Sequence, residues 1–141
     1  MARYRRINLD GKSNTRTAIG ATALLPGSLV VLAASGLFGL NTVTLLKPLT
    51  QLYVVNTAYH QGLTSDEAIP VGDSVVGDYF EEGRELAVLV ESGTVLVEGS
   101  PLTTSPTGTL ILATGTNVVV AHSQDALTVG AADELVRVRV A

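Results

Sequence analysis

The chain has 141 residues and a mass of 14.6 kDa, the length of one domain with one adequate core. Cysteine is absent, which excludes disulfides, thiolate nucleophiles and Cys-ligated zinc. The net charge of −4 is polarised: residues 1–16 set Arg3, Arg5, Arg6, Lys12 and Arg16 against Asp10, net +4, while the remainder holds four basic and twelve acidic residues, net −8.

Hydrophobic residues make up 46% and aromatics only 4%, so the core must be built from Val, Leu, Ala and Ile. Val and Ile favour strands, and 14 Gly with 5 Pro supply frequent turns. The composition predicts an all-β fold, a compact β-barrel or sandwich with an extended N-terminal arm and at most one or two short helices. Charged residues are only 16% and mean hydropathy is +0.37, which implies apolar surface covered in an oligomer or a larger assembly.

Residues 1–17 are polar, basic and aperiodic, and are expected to form a mobile arm separate from a β-rich domain over 18–141. Fixing each residue costs about 1–2 kcal/mol of backbone entropy, so an arm that orders needs a large partner surface. Ala18 to Leu40 is nearly uncharged and long enough to be considered as a membrane or export segment. Pro26-Gly27-Ser28 would break a helix there, and Gly20, Gly36 and Gly39 interrupt the run further. The run reads instead as an extended piece over Ala21 to Leu25, a turn, and a strand over Leu29 to Ala33.

Residues 41–48 and 49–56 read as strand material with Pro48 at a boundary, followed by a polar loop over Ala58 to Pro70. The stretch from Val71 to Gly99 reads as three β segments joined by Gly-centred turns. Leu86 to Val90 is continuously apolar, as in a strand buried on both faces, and Ser92-Gly93 suggests a tight hairpin into Thr94 to Glu98. Ser100 to Gly108 reads as an exposed loop, with strands at Thr109 to Ala113 and Val118 to Ala121. Ser123 is a candidate N-cap for one helical turn through Leu127. The last strand, Glu134 to Val140, points Val136, Val138 and Val140 inward and Arg137 and Arg139 outward.

No constellation carries a catalytic signature. Asp73, Asp78, Glu81, Glu82 and Glu85 cluster around Tyr79-Phe80, a pattern that invites acid–base, glycosidic or Ca²⁺ chemistry. Their spacing fits no calcium loop and no His or Lys complements them, so they read as a solvated acidic loop. A further reading is a subunit interface in which Glu81, Glu82 and Glu85 meet Arg137 and Arg139 of a neighbouring copy. His60 and His122 lie in separate connections without a third partner for a metal or a nucleophile pair. No phosphate loop or dinucleotide fingerprint is present. The basic arm with its Tyr4 suits an acidic protein surface better than nucleic acid, because the acidic body opposes a polyanion.

Four blocks carry a family likeness: Ala23 to Leu32, Val71 to Val75, Tyr79 to Val90, and Ala126 to Gly130 before the Val-rich final strand. Together they resemble the capsid decoration, or cement, proteins of tailed bacteriophages. The resemblance covers most of the chain after residue 17, and its motifs are structural rather than chemical. It implies a small β-rich homotrimer on the capsid exterior, at three-fold and quasi-three-fold positions. There it bridges subunits of the major capsid protein with an N-terminal arm, here Arg3, Tyr4, Arg5, Arg6, Lys12 and Arg16. It implies no catalytic residue, no cofactor or metal, no nucleic-acid, membrane or small-molecule partner, and residence on the virion after synthesis in the host cytoplasm. The alternative is an exported or membrane-anchored small β protein with residues 1–36 as its targeting segment.

Overall fold

Twelve short strands account for nearly all the regular structure in a computed structural model that describes residues 4–12, 14–42 and 52–141. The first five are β1 (Thr15–Gly20), β2 (Leu29–Leu32), β3 (Leu37–Leu40), β4 (Leu52–Val55) and β5 (Ser74–Tyr79). They close into one barrel in the order β1-β3-β2-β4-β5, with β1 antiparallel to β5 and parallel to β3. The second barrel comprises β6 (Glu85–Val90), β8 (Pro101–Thr104), β9 (Leu110–Leu112), β10 (Ala121–Ser123) and β12 (Glu134–Val140), in the order β10-β12-β6-β9-β8. A two-stranded ribbon joins β7 (Val95–Leu96) to β11 (Leu127–Thr128). One 3₁₀ turn, Tyr59–Gln61, is the helical content among the described residues. The fold is therefore all-β, and each half of the chain closes its own small barrel.

The two barrels share a packed seam. Leu29 on β2 and Val54 on β4 are fully buried in the cluster that also holds Leu86 to Val90, Leu110, Val136 and Val138. Their sequence neighbours Val30, Tyr53 and Val55 face the opposite way, into the first barrel with Leu24, Phe38 and Ile69. Alternation along a strand thus feeds two cores, which is why all four residues of β4 are buried. Tyr53 fills the first barrel between Phe38 and Tyr79, with ring centroids 5.2 and 5.0 Å away. Backbone bonds stitch the seam: the Leu89 N–H donates to Gly27 O at 3.0 Å, and the Leu29 N–H to Gly108 O at 2.8 Å. Gly27 itself adopts φ +90°, where an L side chain is strained, and a Cβ there would run into Leu135.

Several local expectations change in the structure. Leu86 to Val90 is a fully buried strand, but Ser92-Gly93 does not make a hairpin of it. β6 pairs with β12 and β9, whereas β7 leaves for the ribbon with β11. Ser123 caps no helix. It belongs to β10, and its hydroxyl donates to Asp125 O at 2.7 Å in a tight non-helical turn. The Ser100 to Gly108 segment is not an exposed loop either. Its Leu102, Thr103, Thr104 and Ser105 are buried, with the hydroxyls of Ser105 and Thr109 2.8 Å apart. Polar composition concealed a buried strand, β8. The expected strand at 41–48 lies outside the described residues beyond position 42.

Candidate functional site

The residues expected to form a mobile arm lie, in their described part, along the second barrel. Ile7 is fully buried in its core cluster. Asn8 bridges Leu86 as an antiparallel pair, the Ala87 N–H donates to Ile7 O at 2.8 Å, and the Leu9 N–H donates to Glu85 O at 3.2 Å. Upstream, the Tyr4 hydroxyl donates to Asp125 Oδ2 at 2.7 Å, and Ser65 Oγ donates to Tyr4 O at 2.9 Å. Downstream, Thr15–Gly20 is β1 itself. The segment is a strap rather than a free tail. The physical reason is local: Ile7-Asn8-Leu9 alternates apolar and polar, and so adds a short strand to the free edge of β6. Burying Ile7 and making those backbone bonds offsets the entropy of ordering the strap.

A largely buried polar cluster fastens the strap. The Arg84 guanidinium, 3% exposed, donates from Nε to Asp10 Oδ2 at 3.0 Å, from Nη2 to Lys12 O at 3.1 Å and from Nη1 to Tyr79 O at 3.3 Å. Its Nη2 also lies 3.5 Å from Oδ1 of Asp78, which is fully buried at the end of β5. Asp10 Oδ2 accepts the Glu85 amide at 3.0 Å, and Oδ1 the Lys12 amide at 2.9 Å. Asp78 Oδ2 accepts from Asn56 Nδ2 at 3.0 Å, and its Oδ1 has no hydrogen-bond donor among the described residues. Burial works to raise the Asp10 carboxyl, but the Glu85 and Lys12 amides and the Arg84 charge outweigh it and hold the group below the ordinary aspartate range. Burial pushes Asp78 up, Arg84 pulls it back, and the neighbouring Asp10 charge adds to the rise.

The remaining residues of interest are spread over the surface. Arg3 lies outside the described residues. Arg5 and Arg6 are exposed on the strap, and the Arg5 carbonyl accepts the Tyr59 hydroxyl at 2.9 Å. Lys12 is exposed where the strap ends, and Arg16 is exposed on β1 opposite Gly77. Arg5 also borders an open cleft of about 500 Å³ with Tyr59, Leu63, Ser65 and Asp66. Glu81 and Glu82 are exposed in the turn before β6, where Glu81 accepts a hydrogen bond from the Asn14 side chain. Glu85 and Arg137 pair within the same chain, Nη2 to Oε1 at 2.9 Å, across the β6–β12 ladder. Arg139 is exposed opposite Glu85 and His122. The acidic stretch and the two arginines are therefore brought together on one copy at Glu85, while Glu82 remains solvated.

Sequence reasoning missed the Arg84–Asp10–Asp78 cluster. Its signals were a lone arginine just before an all-apolar strand and the alternation at Ile7 to Leu9. No group of three or more metal-ligating side chains assembles among the described residues. No helix among them is long and apolar enough to cross a membrane, and Ala18 to Leu40 instead supplies parts of β1, β2 and β3. No family model and no curated protein matches the chain.

Proposed function

We propose that the chain is a capsid decoration protein that binds the exterior of a phage head as a homotrimer and bridges subunits of the major capsid protein. The observation that carries this reading is the pairing of an apolar all-β body with a cationic segment displayed on its surface. Arg5, Arg6, Lys12 and Arg16 turn to solvent while Ile7 and Asp10 hold the strap in place. Such a segment offers acidic capsid surfaces an ordered set of charges at low entropic cost. Three copies joined in a trimer raise the effective concentration of each contact, so weak single contacts add to firm attachment. Exposed Val71, Val95 and Val97, each more than 60% accessible, supply apolar surface for the trimer or the capsid. The family likeness of the blocks at 23–32, 71–75, 79–90 and 126–130 supports the same reading.

The test mixes purified protein with expanded capsids that lack decoration, pellets the capsids, and weighs the free protein by light scattering. The expected results are co-sedimentation at saturable stoichiometry and a solution mass three times 14.6 kDa. Protein that stays in the supernatant at every concentration and salt would reject the proposal.

A further inference from the structure

The strap is fastened at one end by Ile7 and at the other by an unbalanced group of charges. Two carboxylates, the partly buried Asp10 from the strap and the fully buried Asp78 from β5, flank the buried guanidinium of Arg84. The other charged groups around it among the described residues are accounted for. Lys12 contributes its backbone, with its side chain outside. Glu85 offers its amide, and its carboxylate is held by Arg137. Asn56, on the remaining side, is neutral. With both aspartates ionised, the cluster carries one uncompensated negative charge, and burial makes that costly.

We infer that Asp78 is a proton-controlled latch: protonating it closes the strap onto the β6 edge, and ionising it loosens the strap. The coupling follows from what opening does. Lifting the strap removes the Asp10 charge, admits water to Asp78 and leaves Arg84 to Asp78 alone. All three favour the ionised form of Asp78 in the open state. The closed state therefore binds the proton more tightly, and proton uptake and closure are linked.

The sign is fixed by the same reasoning. Asp78 is raised in the closed state, so its contribution is present below the ordinary aspartate value of 3.8 and is lost as pH rises through its folded value. Asp10 is lowered, so its contribution is present above 3.8 and is lost as pH falls through its own folded value. Closure is tightest between the two folded values, which bracket 3.8. The inference concerns the isolated protein and stands independently of capsid binding.

The structure supplies its own reporter and control. The Ala87 amide donates to the strap at Ile7 O, whereas the Leu89 amide, further along β6, donates to Gly27 O. Hydrogen exchange of both amides, corrected for intrinsic rates, is measured from pH 4, just above the ordinary aspartate value, to pH 8. Expected is a fall in Ala87 protection relative to Leu89 as pH rises, by no more than about tenfold per pH unit, the limit for one proton. In Asp78→Asn, which mimics the protonated side chain, the ratio is expected to stay flat at its acid level. A flat ratio in the wild type, or an unchanged slope in D78N, overturns the latch. Should D78N fail to fold, carboxyl-carbon titration of the wild type decides alone. The latch requires Asp78 to titrate above Asp10, and the reverse order overturns it.

Discussion

The Arg137 guanidinium and the Glu85 carboxylate meet diagonally across β12 and β6, 2.9 Å apart, with both side chains more than a third exposed. Each is thereby engaged within its own chain. An exposed pair of this kind contributes little, about 0.2–1 kcal/mol. Glu85→Gln is expected to lower unfolding free energy by less than about 1 kcal/mol in urea titrations, with the difference shrinking in 1 M salt. It should leave the protein's mass in solution unchanged by light scattering.

Arg84 is a different case, because it is buried between two carboxylates. Arg84→Met keeps much of the volume but strands Asp10 and Asp78 without a cation. Removing one partner of a buried ion group costs about 3–5 kcal/mol. The measurement is denaturant unfolding at pH 7. A loss under 1 kcal/mol would mean that the cluster does not hold the strap.

Ile7 tests the strap from its apolar side. Truncation to Ala removes a fully buried side chain and is expected to cost about 2–5 kcal/mol if the strap stays closed over the cavity. If the strap lifts instead, the global loss is smaller and the Ala87 amide exchanges faster while Leu89 does not. Either outcome separates a docked strap from a free tail, for which the substitution would be silent.

Deleting residues 1–16 is consequently a poor test of capsid attachment, since it also removes Ile7, Asp10 and the first residues of β1. Neutralising the outward charges by Arg5→Gln with Arg6→Gln leaves those anchors in place. Capsid co-sedimentation of this variant is expected to weaken, most of all at low salt, with unchanged thermal unfolding. Undiminished binding at low salt would remove these arginines from the contact.

Asp10 gives a pH signature. Its depressed carboxyl contributes stability that is present above 3.8 and is lost as pH falls through its folded value. The stability difference between wild type and Asp10→Asn is therefore expected to shrink in strong acid, as pH falls through the folded value of Asp10. Denaturant midpoints from pH 7 to pH 2 measure it.

Much of this architecture can be read from the residues alone, where local pattern and burial agree. The apolar run at Leu86 to Val90 announces a strand covered on both faces, and the Val/Arg alternation of Glu134 to Val140 appears as β12. What local pattern does not carry is which strand pairs with which. Ser92-Gly93 has hairpin chemistry, yet β6 finds its partner in β12, more than forty residues away. Thr103, Thr104 and Ser105 look solvent-loving, yet all three are buried, and the Ser105 hydroxyl meets that of Thr109. The strap's charges drew attention away from a single isoleucine, and its Asp10–Arg84 tie spans 74 positions, beyond the reach of any window.

The order of synthesis meets this topology awkwardly. β1 to β5 can leave the ribosome and close while the rest is still being made, but the seat for Ile7 is built from β6 and neighbours that include the C-terminal strand. Ile7 and its neighbours must therefore wait for β12 before they can settle. A chain stalled short of β12 would emerge with its leader unmoored and one half already formed.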